Sequence, residues 1–464
     1  MEPLFTNDAV VFGLLMAILA FVFVTSNSKN PNWKRVYTFF PSVLACYLLP
    51  GLLNWPTGLI APEWFDSALL DFLSNQGLQL PEGASFTEIE QFLKDQGFEK
   101  ELIGSFKRES QLYFVASRYL LPASLVLLCL SIDFKGIMNL GSKALIMFFT
   151  ATASIIIGGP VALMIVSALN PEWVGGAGPD DIWRGLSTVA GSWIGGGANQ
   201  AAMKEIYQVS DELFASMIVV DVICANIWMG FLLYGAQNAE RVDRWLKADS
   251  SSIEALKKTV SKFQASVATI PTTTQFMTLL AVTFGAVALS HFGSDLITPW
   301  MDSKKEFLTK YNLNSLASGF FWLIVISTTI GVIVSFTRFR KMEGYGASRL
   351  GTVFIYILVA TIGMKINIGD IFKNLELFAI GIIWMSVHVI VLLLVAKLIK
   401  APSFFVAVGS QANVGGAASA PVVATAFSPS LAAVGALMAV LGYALGTYGA
   451  IICAELMNLV SSGG

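Results

Sequence analysis

Long apolar runs separated by short polar loops recur along the chain, and their lengths decide its class. A bilayer core needs about 20 apolar residues per helix. Runs of that kind near 9–26, 36–54, 114–132, 143–168, 213–236, 273–291, 317–336, 350–367, 375–398 and 429–458 predict ten spanning helices. Two further segments, 184–207 and 402–427, are apolar enough to enter a membrane but too rich in Gly and polar residues for ordinary helices. Residues 56–112 interrupt the pattern with an Asp- and Glu-rich stretch expected to lie outside. There Ser85-Phe86-Thr87-Glu88 reads as a capping box that opens a short amphipathic helix ending near Ile103.

Composition agrees with the spans. Charged residues make up 13% of 464 positions, against roughly 25% in soluble domains. Hydrophobic residues reach 55%, with a mean hydropathy of +0.68. The chain therefore reads as an all-α polytopic membrane protein, with the lipid bilayer as its first partner. A net charge of −2 supplies no basic field for nucleic acid. Two His and four Cys cannot furnish a repeated metal framework, and Cys46, Cys129, Cys224 and Cys453 all fall in apolar stretches as expected packing thiols. No cofactor is expected. The N-terminus lacks the basic region and cleavage site of a signal peptide, so the first run is expected to remain as an anchored span.

Loop charges orient the spans, because Lys and Arg are enriched on the cytoplasmic side. Basic clusters at Lys29/Lys34/Arg35, Lys135/Lys143, 241–262, 338–349 and Lys397/Lys400 all fall inside if the two odd segments re-enter or break without crossing. That places the N-terminus outside. Twelve or thirteen crossings stay open as the alternative.

The odd segments resemble each other. Gly191-Ser192-Trp193-Ile194-Gly195-Gly196-Gly197-Ala198-Asn199-Gln200 and Gly409-Ser410-Gln411-Ala412-Asn413-Val414-Gly415-Gly416 both carry Gly-Ser, then an aliphatic residue before a Gly-Gly pair, then small and polar residues up to Ser419. Each follows two spans and precedes one. Two inverted repeats are expected, each of about five spans plus one Gly-rich broken or re-entrant segment. Residues 1–237 form the first, 238–272 a cytoplasmic linker and 273–464 the second. Gly-rich breaks leave backbone groups unpaired, which lipid cannot satisfy, so they must be buried in protein or line a wet cavity. Matched breaks in two halves point to a transporter binding site. The candidate solute ligands are Ser192, Gly195, Gly196, Gly197, Asn199, Gln200, Ser410, Gln411, Asn413, Gly415, Gly416 and Ser419. Close packing through small residues, as expected of Gly442 and Gly446, is the bland reading of a lone Gly pair.

These two motifs, with the Leu130-Ser131-Ile132-Asp133-Phe134-Lys135 turn, resemble the signatures of the YjcL-like membrane family, domain of unknown function 819. The sequence departs from that pattern at Gln411, where Asn is expected, and at Ala417, where Pro is expected. The family is similar to sodium/glutamate symporters and, more remotely, to the cation/proton antiporter and anion transporter superfamily. The resemblance implies an elevator-type core, a possible homodimer and residence in the bacterial cytoplasmic (inner) membrane.

Charge inside a span costs at least roughly 2.5–3.5 kcal/mol on insertion scales, so each instance needs a reason. Asp221, in Val219-Val220-Asp221-Val222-Ile223, follows the first odd segment, and Asn226 lies about 140° away around the same helix at 100° per residue. Asp221, Asn226 and Asn413 are the candidate Na⁺ ligands. His388, mid-span, is either a neutral core histidine or a proton relay. Lys204 and Glu205 read as an interfacial ion pair, Lys365 and Asp370 as solvated turn residues, and Arg118 as a snorkelling span terminus.

The function expected is secondary active transport: Na⁺-coupled symport of a small anionic or zwitterionic solute, a carboxylate or amino acid. Cation/proton antiport at Asp221 is the alternative. A channel or an intramembrane enzyme is more remote, since no Walker-type loop and no second carboxylate beside Asp221 is evident. No enzyme activity is expected.

Overall fold

The computed structural model describes residues 2–80, 86–175, 178–248, 271–310, 314–366, 376–428 and 431–462. The chain divides into two compact units, Met1–Arg118 with Tyr356–Gly369, and Tyr119–Ile355 with Asp370–Gly464.

The smaller unit opens with α1 (Asp8–Ser26), whose N-terminus is closed by Asn7 Oδ1 accepting the Ala9 amide at 2.9 Å. The apolar run 36–54 is interrupted. It forms the end of α2 (Pro31–Phe39) and all of α3 (Ser42–Asn54), because Pro41 has no N–H for the helical ladder and holds Phe40 outside the helical region, at φ −126° and ψ 86°. The acidic insertion has its own core. Strands β1 (Glu63–Phe65) and β2 (Lys107–Glu109) pair antiparallel, with α4 (Ala68–Asn75), α5 (Phe86–Asp95) and α6 (Lys100–Phe106) between them in sequence. Phe65, Leu69, Leu73, Ile89, Leu93 and Ile103 fill the interior.

The single helix expected to reach Ile103 is two helices. Gly97 adopts φ +81°, and the Phe98 amide returns to the Leu93 carbonyl at 3.2 Å, which stops α5 after Asp95. α4 ends the same way, with Gly77 at φ +73° and Leu78 bonded back to Leu73. Ser85 of the expected capping box lies outside the described residues. Lys365 stands 4.5 Å over the Tyr113 ring, and Asp370 lies outside the described residues.

The larger unit holds both Gly-rich segments. After α7 (Leu112–Val115), which belongs to the smaller unit, a π-turn leads into α8 (Leu121–Leu130), then α9 (Phe134–Met138) and α10 (Ser142–Leu169). The first segment is a helix pair, α11 (Ile182–Gly195) and α12 (Gly197–Ile206), followed by α13 (Asp211–Gln237). The linker is described only to residue 248 and carries α14 (Ala239–Leu246); Lys257, Lys258 and Lys262 lie outside. Then come α15 (Thr273–Asp302), α16 (Lys305–Lys310), α17 (Gly319–Ser335) and α18 (Ala347–Gly363), which from Tyr356 on belongs to the smaller unit. α15 runs past the expected end at 291, because isolated polar residues such as His291 and Asp295 do not stop an apolar helix. α19 (Leu377–Ile399) precedes the second pair, α20 (Ser403–Val414) and α21 (Gly416–Phe427), and α22 (Ala432–Ser462) closes the chain.

Among the described residues, seven helices are long and apolar enough to cross a membrane, or nine if each bent pair counts as one span. This is a multi-pass membrane protein. α11 and α22 approach backbone to backbone: a Cβ at Gly442 would lie 2.9 Å from the Ile194 carbonyl oxygen, and one at Gly446 would meet the Cα of Gly195. In the loop after α8, Asp133 ion-pairs with Arg340 of the basic segment 338–345.

Candidate functional site

Both Gly-rich segments break where glycine is most concentrated. Gly196 sits at φ +77°, ψ −174°, a region essentially reserved for Gly. Its amide donates to the Ser192 carbonyl at 2.8 Å, and its own carbonyl accepts from Asn199 and Gln200. One residue thus ends α11 and starts α12. In the second pair Gly415 donates to the Gln411 carbonyl at 2.9 Å, and Gly416 turns the chain at φ +58°. No side chain caps α12 or α21, so their first amides point into the breaks unpaired by any cap.

Two buried asparagines fasten the broken segments. Asn199 Nδ2 donates to the Gly195 carbonyl (3.0 Å) and the Tyr443 carbonyl (3.4 Å), and its Oδ1 accepts from Thr447 Oγ1 at 2.6 Å. Asn413 Nδ2 donates to the Gly409 carbonyl (2.9 Å) and the Phe148 carbonyl (3.3 Å), while its Oδ1 accepts from Thr152 Oγ1 at 2.8 Å. The first segment is thereby tied to α22 and the second to α10. Gly195 leaves the space that the Asn199 amide fills; a Cβ there would collide with it.

Asp221, on α13, is 5% exposed. Trp193 Nε1 donates to its Oδ1 at 2.7 Å, Gln200 Nε2 donates to its Oδ2 at 2.9 Å, and the Ser192 hydroxyl adds a third bond. The carboxylate therefore binds both sides of the first break, which desolvation alone would forbid. Asn226 instead donates to the Val222 carbonyl of its own helix at 2.7 Å. Asp221, Asn226 and Asn413 thus share no partner, and among the described residues no group of three or more His, Cys, Asp or Glu gathers around a point.

Seven residues beyond Asp221, about 20° short of two full turns, Trp228 occupies the same face of α13. Its Nε1 donates to Ser410 Oγ at 2.8 Å. Ser410 in turn lies 2.7 Å from His388 Nε2, and His388 Nδ1 lies 2.7 Å from Ser154 Oγ, which donates to the Ala151 carbonyl at 2.8 Å. The directions follow from the ends. Ser154 spends its proton on Ala151, so it accepts from Nδ1–H; Nε2 is then bare and accepts from Ser410. The ring is a neutral Nδ1–H tautomer, fully buried. One face of α13 therefore serves both breaks, through Asp221 at the first and Trp228 at the second. Trp228 also floors an apolar groove of about 420 Å³ between α13 and α19, lined by Cys224, Ile227, Ile382, Met385 and Val389 among others.

The remaining polar residue of the second break is different. Gln411, 2% exposed, donates from Nε2 to Ser419 Oγ across the break at 2.7 Å. Among the described residues no donor reaches its Oε1. Gly415 is what lets the two groups meet, since a Cβ there would strike both. Gly197, the last of the first triplet, borders open space, with Ile355 as the nearest neighbour to a Cβ at 3.8 Å. At the far end of α12, Lys204 is buried and pairs with Asp211 at 2.8 Å, while Tyr207 donates to Glu455 at 3.0 Å.

The sequence reading named the polar residues of both motifs, Asp221 and His388, but passed over Trp193 as a ligand of Asp221, and over Trp228, Thr152, Thr447 and Ser154. Only Trp228 carried a signal, its seven-residue spacing from Asp221; the others are single small or aromatic residues in apolar runs.

The relatives of the chain agree with a membrane assignment. It is 23% identical over 357 residues to the uncharacterized membrane protein YjcL of Bacillus subtilis (strain 168), an alignment covering 75% of this chain and 84% of that protein. Residues 100–460, which contain both broken segments, Asp221 and His388, match the family described as protein of unknown function DUF819, and the chain belongs to that family.

Proposed function

We propose that this protein is a secondary active transporter, a Na⁺-coupled symporter of a small anionic or zwitterionic solute, and that it catalyses no covalent reaction. One observation carries this reading: two half-buried glycine breaks with uncapped half-helix N-termini lie in one unit, and a single face of α13 serves both. Half-helix N-termini favour negative groups, and broken carbonyls favour cations. Asp221, with three donors on a carboxylate that has about four acceptor sites, keeps capacity for a cation. In this reading the two halves are inverted repeats in the cytoplasmic membrane, the N-terminus is outside, and the broken core moves against the outer helices of a dimer as an elevator.

The test is thermal stability of the purified protein across Na⁺, K⁺ and pH, with Asp221→Asn alongside. A ligand that binds only the folded state stabilises it by RT ln(1+[L]/Kd), about 2.7 kcal/mol at a hundredfold excess over Kd. Na⁺-specific stabilisation that disappears in Asp221→Asn supports the symporter. A pH response lost in Asp221→Asn without any Na⁺ response replaces it with cation/proton antiport at that carboxylate. Neither response at Asp221 removes the coupling role from this residue.

A further inference from the structure

We infer that the second break recognises a solute carrying both a carboxylate and an N–H donor, an amino acid rather than a plain carboxylate, with Gln411 Oε1 as acceptor for its ammonium. The inference rests on the transporter reading and narrows it.

Gln411 is buried, yet no donor among the described residues reaches its Oε1. A buried acceptor left unmade costs about 1–3 kcal/mol. The amide orientation is fixed by Nε2 donating to Ser419 Oγ. Reversing it would satisfy Oε1 but strand two N–H groups, which proteins tolerate less well than a bare carbonyl oxygen. The amide reaches across the break, with its Nε2 end against Gly415 and Ser419, so its unused oxygen lies one amide width from the start of α21. α21 is twelve residues long and has no side-chain cap.

Two demands therefore arise at one break. The uncapped helix start favours a negative group, and the orphan oxygen needs a donor. A simple carboxylate would meet the first and set oxygen against oxygen at Gln411. A bare cation would meet the second and oppose the helix end. The polar side chains of this break, Ser410, Gln411, Asn413 and Ser419, are all neutral, so an occupant of no net charge needs no buried counter-ion. A zwitterion with its two charged groups a few bonds apart fits all three conditions. Ser410 and Asn413 are already bonded to Trp228, His388 and Thr152, which leaves Gln411 to choose the ligand.

The experiment measures thermal stabilisation of the full chain by the standard amino acids, each beside its deaminated counterpart, such as L-glutamate with glutarate and L-alanine with propionate. At least one amino acid should stabilise where its counterpart does not. Gln411→Leu should weaken that binding roughly ten- to hundredfold, the range for a hydrogen bond to a charged group. Its unliganded stability should change little, because relief of the unsatisfied oxygen offsets the lost bond to Ser419 Oγ. The inference is overturned if a carboxylate without an amine stabilises as well as its amino counterpart, if none of the amino acids stabilises, or if Gln411→Leu folds and binds unchanged. The wild-type comparison decides even if the variant fails to fold. Na⁺-driven uptake of an amine-free carboxylate would sink this inference and leave the symporter standing.

Discussion

Replacing Ser410 with Ala tests the directed chain that runs from Trp228 through Ser410, His388 and Ser154 to the Ala151 carbonyl. Ser410 both accepts from Trp228 Nε1 and donates to His388 Nε2, so its loss strands a donor and an acceptor inside the protein. Each stranded group costs about 1–3 kcal/mol in soluble proteins. Interhelical bonds in a bilayer average about 0.6 and reach about 1.7 kcal/mol, because the unfolded segments find other partners. Two losses therefore come to about 1–3 kcal/mol for Ser410→Ala. Ser154→Ala strands only the Nδ1–H, and the ring can recover by moving its proton to Nε2 and donating to Ser410 instead. That variant should cost under about 1 kcal/mol and switch the tautomer. With only two histidines in the chain, ¹⁵N-histidine NMR resolves His388 directly, and reversible unfolding in mixed micelles gives the energies. Wild type should show a neutral ring protonated at Nδ1. An Nε2–H ring in wild type, or Ser410→Ala no costlier than Ser154→Ala, would refute the assigned direction.

Gly196→Ala should lose about 1–3 kcal/mol of stability from its forbidden backbone region, while Gly197→Ala, with only Ile355 at 3.8 Å, should be near neutral; unfolding midpoints of the two compare them. A double-mutant cycle of Asn199→Ala with Thr447→Val should show a coupling above about 0.5 kcal/mol, and additivity would remove the 2.6 Å bond from the account. In the acidic insertion, Lys107 first and Lys94 second hold the Glu90 carboxyl below its usual range. Its contribution is thus present above the ordinary carboxylate pKa and fades as pH falls through the lowered one. Amide protection factors of residues 63–80 and 86–109, corrected for the intrinsic pH dependence of exchange, should fall on acidification, and Glu90→Gln should flatten that dependence.

Seven of the ten expected spans, the two broken segments and the burial of Asp221 were legible because each is written in short-range terms: twenty apolar residues, a glycine triplet, one carboxylate in Val-Val-Asp-Val-Ile. What escaped depends on tertiary pairing. Asn226 looked like a companion of Asp221, but an asparagine inside an apolar helix can bond the carbonyl four residues back, and it does so at Val222. Asn413 was named as a cation ligand with no sign of the hydroxyl its oxygen accepts from, that of Thr152, 261 positions away in sequence. The helix expected to run to Ile103 failed on a local signal that was present, the Gln96-Gly97 pair, whose left-handed glycine ends a helix as Gln76-Gly77 does twenty residues earlier. The break at Phe40–Pro41 was written in the sequence too, and was outweighed by the length of the apolar run around it.

The hydrogen-bond inventory sorts the candidate residues by what their loss should do. A polar side chain whose bonds are all internal holds the walls of a site, whereas one left unsatisfied holds binding energy in reserve. Asn199 and Asn413 are of the first kind, each bonded at both ends of its amide. Gln411 is of the second. Alanine at Asn199 or Asn413 should therefore lower unliganded stability, by about 1–3 kcal/mol for the acceptor and donors stranded. The ligand-induced increment, measured on whatever protein remains folded, should change little. Leucine at Gln411, which fills the same space, should do the reverse. Paired thermal scans with and without ligand separate the two quantities in one experiment. Should Asn413→Ala erase the ligand increment while leaving unliganded stability intact, internal satisfaction would be the wrong criterion for telling wall from ligand contact, and Asn413 would rejoin the binding groups.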